Sequence, residues 1–581
     1  MVFAAPIGPP DVPDNLTIPQ FLLDSRHPLR PLNQQANPWF IQDEYGRGVG
    51  FEEVRARTYG LANAMSSRYN IHYPTALWAI HRLGAVATCA NPAYQADELK
   101  YQIDLAGATL MFTHSENLVI ATQAARACNF PADRIIILDS PNVPAFDSHF
   151  NIERLVLEGL AQPPQFTERK LSPGEGRTKL ALLSFSSGTT GRPKAVAIPH
   201  YALIANVVQM ALHVKANEEH VPRDERRYRT GDGIYAGRLA SIPYACFVLL
   251  CERRLIMITD IYGAVVILHF YLFAGYTLVI PERFNFVQML KSIERYRINH
   301  LCLVPPMIVL LCKNPATKQH DLSSVRFIMS GAAPLSGELT EQLAKILPNT
   351  AIAQAYGMTE SCTTLTFPRL DQKLGTLGSS GVLLPGVTAK VIKEDGTPAG
   401  FDEPGELYVK APSLTLGYYK NEAATKETFI DGWLRTGDEV VINRNFEVFV
   451  IDRRKEIFKV RGFQVAPAEL EGHLLNHPDV VDTCVVGIAD DYSGEVPLAF
   501  VVLHPAVLAR IVKDPLEADK VKAGLIRFVA DSKVHYKRLA GGVEFIDAIP
   551  KNPSGKLLRR FMREKAKELK KTPNLSVRPK L

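Results

Sequence analysis

The feature that most restricts the fold is a rhythm. Short apolar runs at 135–138, 180–185, 276–280 and 301–304 alternate with stretches of helical spacing. Runs of this length suit buried strands, and helices between them let successive strands lie parallel, so an α/β architecture is expected. Predicted helices cover 202–213, 286–296 and 336–347. The last follows Pro334, is capped by Ser336 and places Leu339, Leu343 and Leu347 on one face. Beyond about residue 400 the texture changes to strands at 405–410, 432–441 and 446–452, separated by glycine and charged turns. The charged run Asp452-Arg453-Arg454-Lys455-Glu456 reads as a solvent-exposed connector into a second unit.

Charge and cysteine content narrow the function class. The chain carries 66 basic and 60 acidic residues, a surplus of +6 over 581 positions, which is too small to imply a nucleic-acid partner. Its 8 cysteines form neither a C-x-x-C pair nor a dense framework, so reduced thiols are expected. Residues 255–280 are apolar enough to suggest a membrane span. Asp260 and His269 interrupt them, and a buried strand or helix is the better reading, so no membrane span is expected. The sequence stops at Pro579-Lys580-Leu581, which is similar to the S-K-L address read by the peroxisomal import receptor, with proline in place of serine. Peroxisomal residence is expected, with the cytoplasm as the alternative.

The sharpest chemical signal is Ser184-Phe185-Ser186-Ser187-Gly188-Thr189-Thr190-Gly191-Arg192-Pro193-Lys194, directly after an apolar strand. Glycines let the backbone turn tightly and present N–H groups, hydroxyls donate to phosphate oxygens, and Lys194 adds a cation. The spacing does not satisfy G-x-x-x-x-G-K-[ST], so a motor or GTPase loop is excluded.

That string resembles the signature loop of the adenylate-forming superfamily, and in particular acyl-CoA synthetases of the fungal 4-coumarate-CoA-ligase-like group. Further motifs follow in the family's order: Gly331-Ala332-Ala333-Pro334-Leu335, Gln354-Ala355-Tyr356-Gly357-Met358-Thr359-Glu360, Gly432 through Asp438, Asp452-Arg453 through Glu471, and Pro553-Ser554-Gly555-Lys556. The resemblance implies a large multi-sheet N-terminal domain over 1–450, an αβαβα sandwich with a distorted barrel. It also implies a small mobile α/β C-terminal domain over 451–575, with a tail at 576–581.

The implied activity is ATP-dependent ligation of a small carboxylic acid to CoA. A carboxylate is a poor electrophile, and conversion to an acyl-adenylate supplies a leaving group. By the resemblance, Ser186, Ser187, Gly188, Thr189, Thr190, Gly191 and Lys194 hold the β- and γ-phosphates, and Thr189 and Glu360 are candidate contacts for Mg²⁺. Gln354, Ala355, Tyr356, Gly357 and Thr359 hold the adenine and α-phosphate end, while Asp438, in a turn after Trp433, accepts the ribose hydroxyls beside Arg453. Lys556 reaches the α-phosphate in the first step, and Lys455 and Lys459 resemble the family's adenylate-facing lysines. Rotation about the segment Asp452 to Lys455 then brings Arg461 and Gly462 to the CoA path.

Two regions depart from the family pattern. The strand expected between the predicted helix at 60–68 and Tyr73 is missing, Asn70-Ile71-His72 joining the flanks directly. An insertion occupies 238–258, with Asp260 where relatives carry histidine. Both are expected to reflect faulty exon joining or a decayed copy. Alternatives to a CoA ligase are an adenylation domain that loads a carrier protein, a catalytically impaired nucleotide-binding relative and, more distantly, a luciferase-like oxygenase. The sequence does not name the acid.

Overall fold

The computed structural model describes the chain except residues 32–36, 44, 68–72, 91–93, 114, 139–149, 165, 187–192, 219–220, 223–224, 236–247, 250–253, 256–260, 282–283, 332–333, 552–556 and 572–581. Several residues singled out above therefore lie outside the described residues: Ser187, Gly188, Thr189, Thr190, Gly191, Ile71, Asp260, Lys556 and the Pro579-Lys580-Leu581 end.

The expected alternation of strands and helices is present. A seven-stranded sheet runs in the order Ala351–Gln354, Phe327–Ser330, His300–Leu303, Gly233–Tyr235, Thr277–Ile280, Phe40–Gln42, Arg47–Val49. Its neighbours are parallel except the last pair. Helices Phe286–Tyr296, Pro305–Lys313 and Gly337–Ile346 connect its strands and bury Met289, Ile293, Ile308, Leu311, Leu339 and Leu343 in one core. Ser336 caps the third helix as expected, its hydroxyl accepting from Leu339 N at 3.2 Å. Gly263–Phe270 and Tyr271–Phe273 are helical and wholly buried, and among the described residues no helix is long and apolar enough to cross a membrane.

An eight-stranded sheet holds the start of the phosphate-binding string. Leu180–Ser186 lies between Val86–Cys89 and Lys194–Pro199. The strands Val86–Cys89 and Met111–Thr113 are joined by the helix Ala96–Ala106 yet are not neighbours. Between them sits Val248–Leu249, antiparallel to both, while Arg254–Leu255 pairs in parallel with Val86–Cys89. Backbone from the anomalous insertion therefore belongs to the sheet. The helices Phe51–Ser67 and Tyr73–Arg82 flank residues 68–72, so the place of the strand expected there lies outside the described residues.

A third sheet contains Phe3–Ala4, Thr388–Ile392, Gly405–Lys410, Trp433–Ile442, Phe429–Ile430 and Val448–Arg453, so the large unit's pairing runs through Arg453. The C-terminal unit has its own sheet, from Phe458–Val460 to Gly542–Phe545, with an apolar core on each face. Here the charged run behaves differently from the exposed connector expected of it. Asp452 is 7% exposed and accepts from Ala468 N at 3.0 Å, and Glu456 binds buried Arg559 at 2.7 Å. The composition of the run is polar, but Arg559, about a hundred residues later, supplies the charge that lets the side chains of Asp452 and Glu456 be buried.

Candidate active site

In open parallel sheets ligands gather beyond the carboxyl ends of the strands, where loops leave the sheet. The strands Phe327–Ser330 and Ala351–Gln354 end side by side, and the two motifs that follow them are tied together. The Gln354 carboxamide accepts from Leu335 N at 2.7 Å and donates to Leu335 O at 3.3 Å. Ala355 N donates to Ser330 O at 3.1 Å. Gln354 is thus a brace between the loops in this structure. The ring of Tyr262 lies 3.7 Å from where a Cβ on Gly331 would stand.

Past Ala355 the chain makes a short hairpin in which glycine is obligatory. A Cβ on Gly357 would come within 1.5 Å of Thr363 O. Thr363 itself has φ +94°, rare for a β-branched side chain, and Cys362 has φ +52°. This forced turn presents Thr359–Ser361 and fixes the carboxylate of Glu360, whose main-chain oxygen accepts from Thr415 N at 3.1 Å and Thr415 Oγ1 at 3.0 Å.

Two acidic groups anchor the ends of one continuous row. At one end Tyr356 OH donates to Asp438 Oδ2 at 2.6 Å, and Arg453 Nε stands 3.7 Å from Asp438 Oδ1. Asp438 was expected in a turn. It lies instead in the strand Trp433–Ile442, cross-paired with Arg453, because Trp433 and Asp438 belong to one extended run. Burial and the Asp438 carboxylate push the Tyr356 phenol well above its ordinary pKa, so it remains a donor.

At the other end Tyr418 OH donates to Glu360 Oε1 at 2.8 Å, and Lys194 Nζ lies 4.8 Å from the centre of the Tyr418 ring. Main-chain pairing makes that approach possible. Residues 416–419 add to the edge of Lys194–Pro199 through Ala197 N to Gly417 O at 2.8 Å and Tyr419 N to Ala195 O at 2.7 Å. Burial, then the neighbouring Glu360 carboxylate, raise the Tyr418 phenol and keep it protonated. The Lys194 end of the signature string is thus tied to Glu360, and Asp438 and Arg453 to Tyr356, toward the two ends of the 354–360 motif.

The comparisons fall where this geometry points. A family model described as AMP-binding enzyme matches residues 64–419, and its companion, the AMP-binding enzyme C-terminal domain, matches 469–556. The chain belongs to the AMP-binding enzyme family. Acyl-CoA ligase AFT1-1 of Alternaria alternata is 33% identical over 97% of both chains, and 4-coumarate-CoA ligase 1 of Narcissus pseudonarcissus is 35% identical over 83% of this chain and 80% of that one. Among solved structures, the anthranilate CoA ligase AuaEII in complex with anthranoyl-AMP superimposes with a TM-score of 0.76 at 20% identity, covering 97% and 99% of the two chains. ATP-bound MatB from Rhodopseudomonas palustris gives 0.74 at 22%, covering 96% and 99%. These likenesses establish the fold of an adenylate-forming enzyme.

The remaining residues singled out from the sequence are placed as follows. Ser186 ends its strand opposite Lys194. Lys459 Nζ is paired with Glu394 at 2.8 Å, so it does not face an adenylate in this structure. Lys455 is exposed, and its carbonyl accepts from Arg563 at 3.4 Å. Arg461, at φ +51°, lies over the Tyr492 ring, and nothing stands within 4 Å of a Cβ placed on Gly462. Tyr418 and Thr415 escaped the sequence reading, because an aromatic pair after Gly417 has no chemical signature until the chain folds it against Lys194.

Mg²⁺ prefers oxygen ligands and keeps several from water or phosphate. Among the described residues no group of three His, Cys, Asp or Glu side chains could hold a metal on its own. Glu360 fits a single carboxylate contact to an ion carried in on phosphates, since among the described residues only its Oε1 is engaged.

Proposed function

We propose that the chain is an AMP-forming acid–CoA ligase that activates a small carboxylic acid as its adenylate and passes the acyl group to CoA. The observation that carries this reading is the row from Lys194 through Tyr418 and Glu360 to Tyr356, Asp438 and Arg453. In this reading the nucleotide lies along it, with phosphates toward Lys194 and ribose at Asp438. The Asp438 carboxylate accepts from the ribose hydroxyls, and the Tyr356 phenol keeps its second oxygen oriented. Lys194 and the hydroxyl-rich string neutralise the leaving pyrophosphate, the place where charge accumulates in phosphoryl-type displacement. Glu360, held by Tyr418, supplies an oxygen to Mg²⁺, which when bound offsets phosphate charge.

The carboxylic acid attacks the α-phosphorus from the Gly331 and Tyr262 side. Lys556 stabilises that step and is then carried away by rotation of the C-terminal unit, after which the Arg461-Gly462 hairpin guides CoA. The relatives named acyl-CoA ligase and 4-coumarate-CoA ligase support CoA over a carrier protein as acceptor, and a role in fungal specialised metabolism is part of the proposal.

A panel of aryl, medium-chain and long-chain acids, each trapped as hydroxamate and assayed for ATP–pyrophosphate exchange, tests the reading and names the substrate class. At least one acid should drive exchange and yield its CoA thioester. Folded protein that binds ATP but exchanges with none of them would instead be the impaired nucleotide-binding relative.

A further inference from the structure

The helix Pro305–Lys313 of the large unit ends on Lys313, and the ammonium group of that residue crosses into the small unit. Its Nζ donates to three main-chain oxygens just past the helix Pro467–Leu474: Leu475 at 2.7 Å, His477 at 3.3 Å and Val480 at 2.6 Å. An ammonium has three N–H donors, so its capacity is filled by carbonyls alone. Of the three, the Leu475 oxygen stands at the helix end, where carbonyls lack intrahelical donors and carry partial negative charge, whereas His477 O also accepts from Val480 N at 3.1 Å and Val480 opens the next strand. Burial lowers the Lys313 pKa, as expected of an ammonium taken partly out of water. Two lesser contacts lie on the same face. Gln342 Nε2 donates to Asn476 at 3.3 Å, and a Cβ on Gly472 would stand 2.9 Å from that of Ser336.

These contacts select one orientation of the small unit, and Lys459 reports which. Lys459 is bonded to Glu394 and lies within electrostatic reach of Glu439. Among the described residues the partners of the Lys459 ammonium are thus Glu394 and Glu439, and neither of them is Asp438, where the ribose is proposed to lie. The hairpin that must approach for thioester formation, Phe458–Val460 with Phe463–Val465, is held at Glu394 by that bond.

We infer that Lys313 is a positioning residue that holds the small unit in the orientation of adenylate formation, and that its three hydrogen bonds break when the unit rotates for thioester formation. This rests on the two-step ligase reading above. Lys313 touches no substrate. It acts by shifting the balance between two arrangements of the chain, so its loss should divide the half-reactions rather than depress both.

The test uses the full-length chain with Lys313→Met and Lys313→Arg. Each is assayed for ATP–pyrophosphate exchange with the acid that performs best in the hydroxamate screen, and for thioester formation from that acid's supplied acyl-adenylate plus CoA. The Met variant should lose exchange by about 10-fold while thioester formation stays within about twofold or rises, and the Arg variant should recover most of the exchange. Parallel loss in both steps, or no change in either, overturns the inference. A second readout does not depend on activity. Tryptic cleavage in the Arg453-Arg454-Lys455 segment should be at least about fivefold faster in the Met variant than in the parent. Equal cleavage rates overturn the latch. A parent chain that never exchanges, yet shows the difference in cleavage, would retain the latch and refute the ligase reading.

Discussion

Two charged clusters of this protein are built in opposite ways. In the C-terminal unit Arg559 is 9% exposed and is held by Glu456 at 2.7 Å and Glu471 at 2.5 Å, with Glu471 also accepting from Val485 N at 2.8 Å. Acid and base close on each other. Along the candidate active site the two buried carboxylates are left open: Glu360 has the Tyr418 hydroxyl, and Asp438 has the Tyr356 hydroxyl with Arg453 at the longer distance of 3.7 Å. A closed cluster supports the fold, whereas a carboxylate oriented by a neutral phenol keeps its charge available to a ligand.

The largest expected effect falls on the closed cluster. Arg559→Met strands Glu456, Glu471 and Asp452 without a cation and should cost roughly 3–5 kcal/mol in urea unfolding, as does removing one partner of a buried ion pair. Its pH dependence carries a definite sign. Burial raises the Glu471 carboxyl from its ordinary 4.5 to about 7, so its contribution to stability is complete below 4.5 and is lost as pH rises through about 7. Without Arg559 that loss deepens, and the gap between parent and variant should be smaller at about pH 5 than at about pH 8. A gap that widens on acidification would show that the cluster is not closed in the way described.

The open carboxylates should respond in activity rather than stability. Asp438→Asn should lower ATP–pyrophosphate exchange by about 100-fold, the scale of losing two charge-assisted hydrogen bonds to a ribose, while the urea midpoint moves little. If unfolding shifts as much as in Arg559→Met, Asp438 belongs to the fold and the contrast fails. Smaller again is Tyr418→Phe, which removes the hydroxyl that donates to the Glu360 carboxylate. Exchange should drop by about 10-fold, with a rise in the Mg²⁺ concentration needed for half-maximal rate. An unchanged Mg²⁺ requirement would detach Glu360 from the metal and leave Tyr418 as packing.

Much of the candidate site was readable as a row of motifs, since each owes its character to local needs: glycines where the backbone must turn, hydroxyls and a lysine where phosphate is expected. Gln354, Asp438, Arg453 and Glu360 were picked out through the resemblance to the adenylate-forming family, and the structure joins Asp438 and Arg453 to that motif through Tyr356. Their actual partners were not readable. Gln354 spends its side chain on Leu335, Asp438 sits in a strand rather than a turn, and Lys459 pairs with Glu394. The insertion at 238–258 was expected to reflect faulty exon joining or a decayed copy, and nothing in the sequence signalled that its Val248–Leu249 would lie between the strands Val86–Cys89 and Met111–Thr113. Strand pairing between segments more than a hundred residues apart leaves no periodic trace in either segment.

The amino-acid order by itself determined the alternating architecture, the capped helix at Ser336 and the family's motifs, because periodicity, caps and glycine turns are set by residues within a few positions of one another. Only the tertiary structure decided that Tyr418 stands between Lys194 and Glu360, that Arg559 lets the side chains of Asp452 and Glu456 be buried, and that Lys313 holds the small unit through its carbonyls. Each of these joins groups distant along the chain, and the free energy of such a contact depends on geometry and dielectric that exist only after folding.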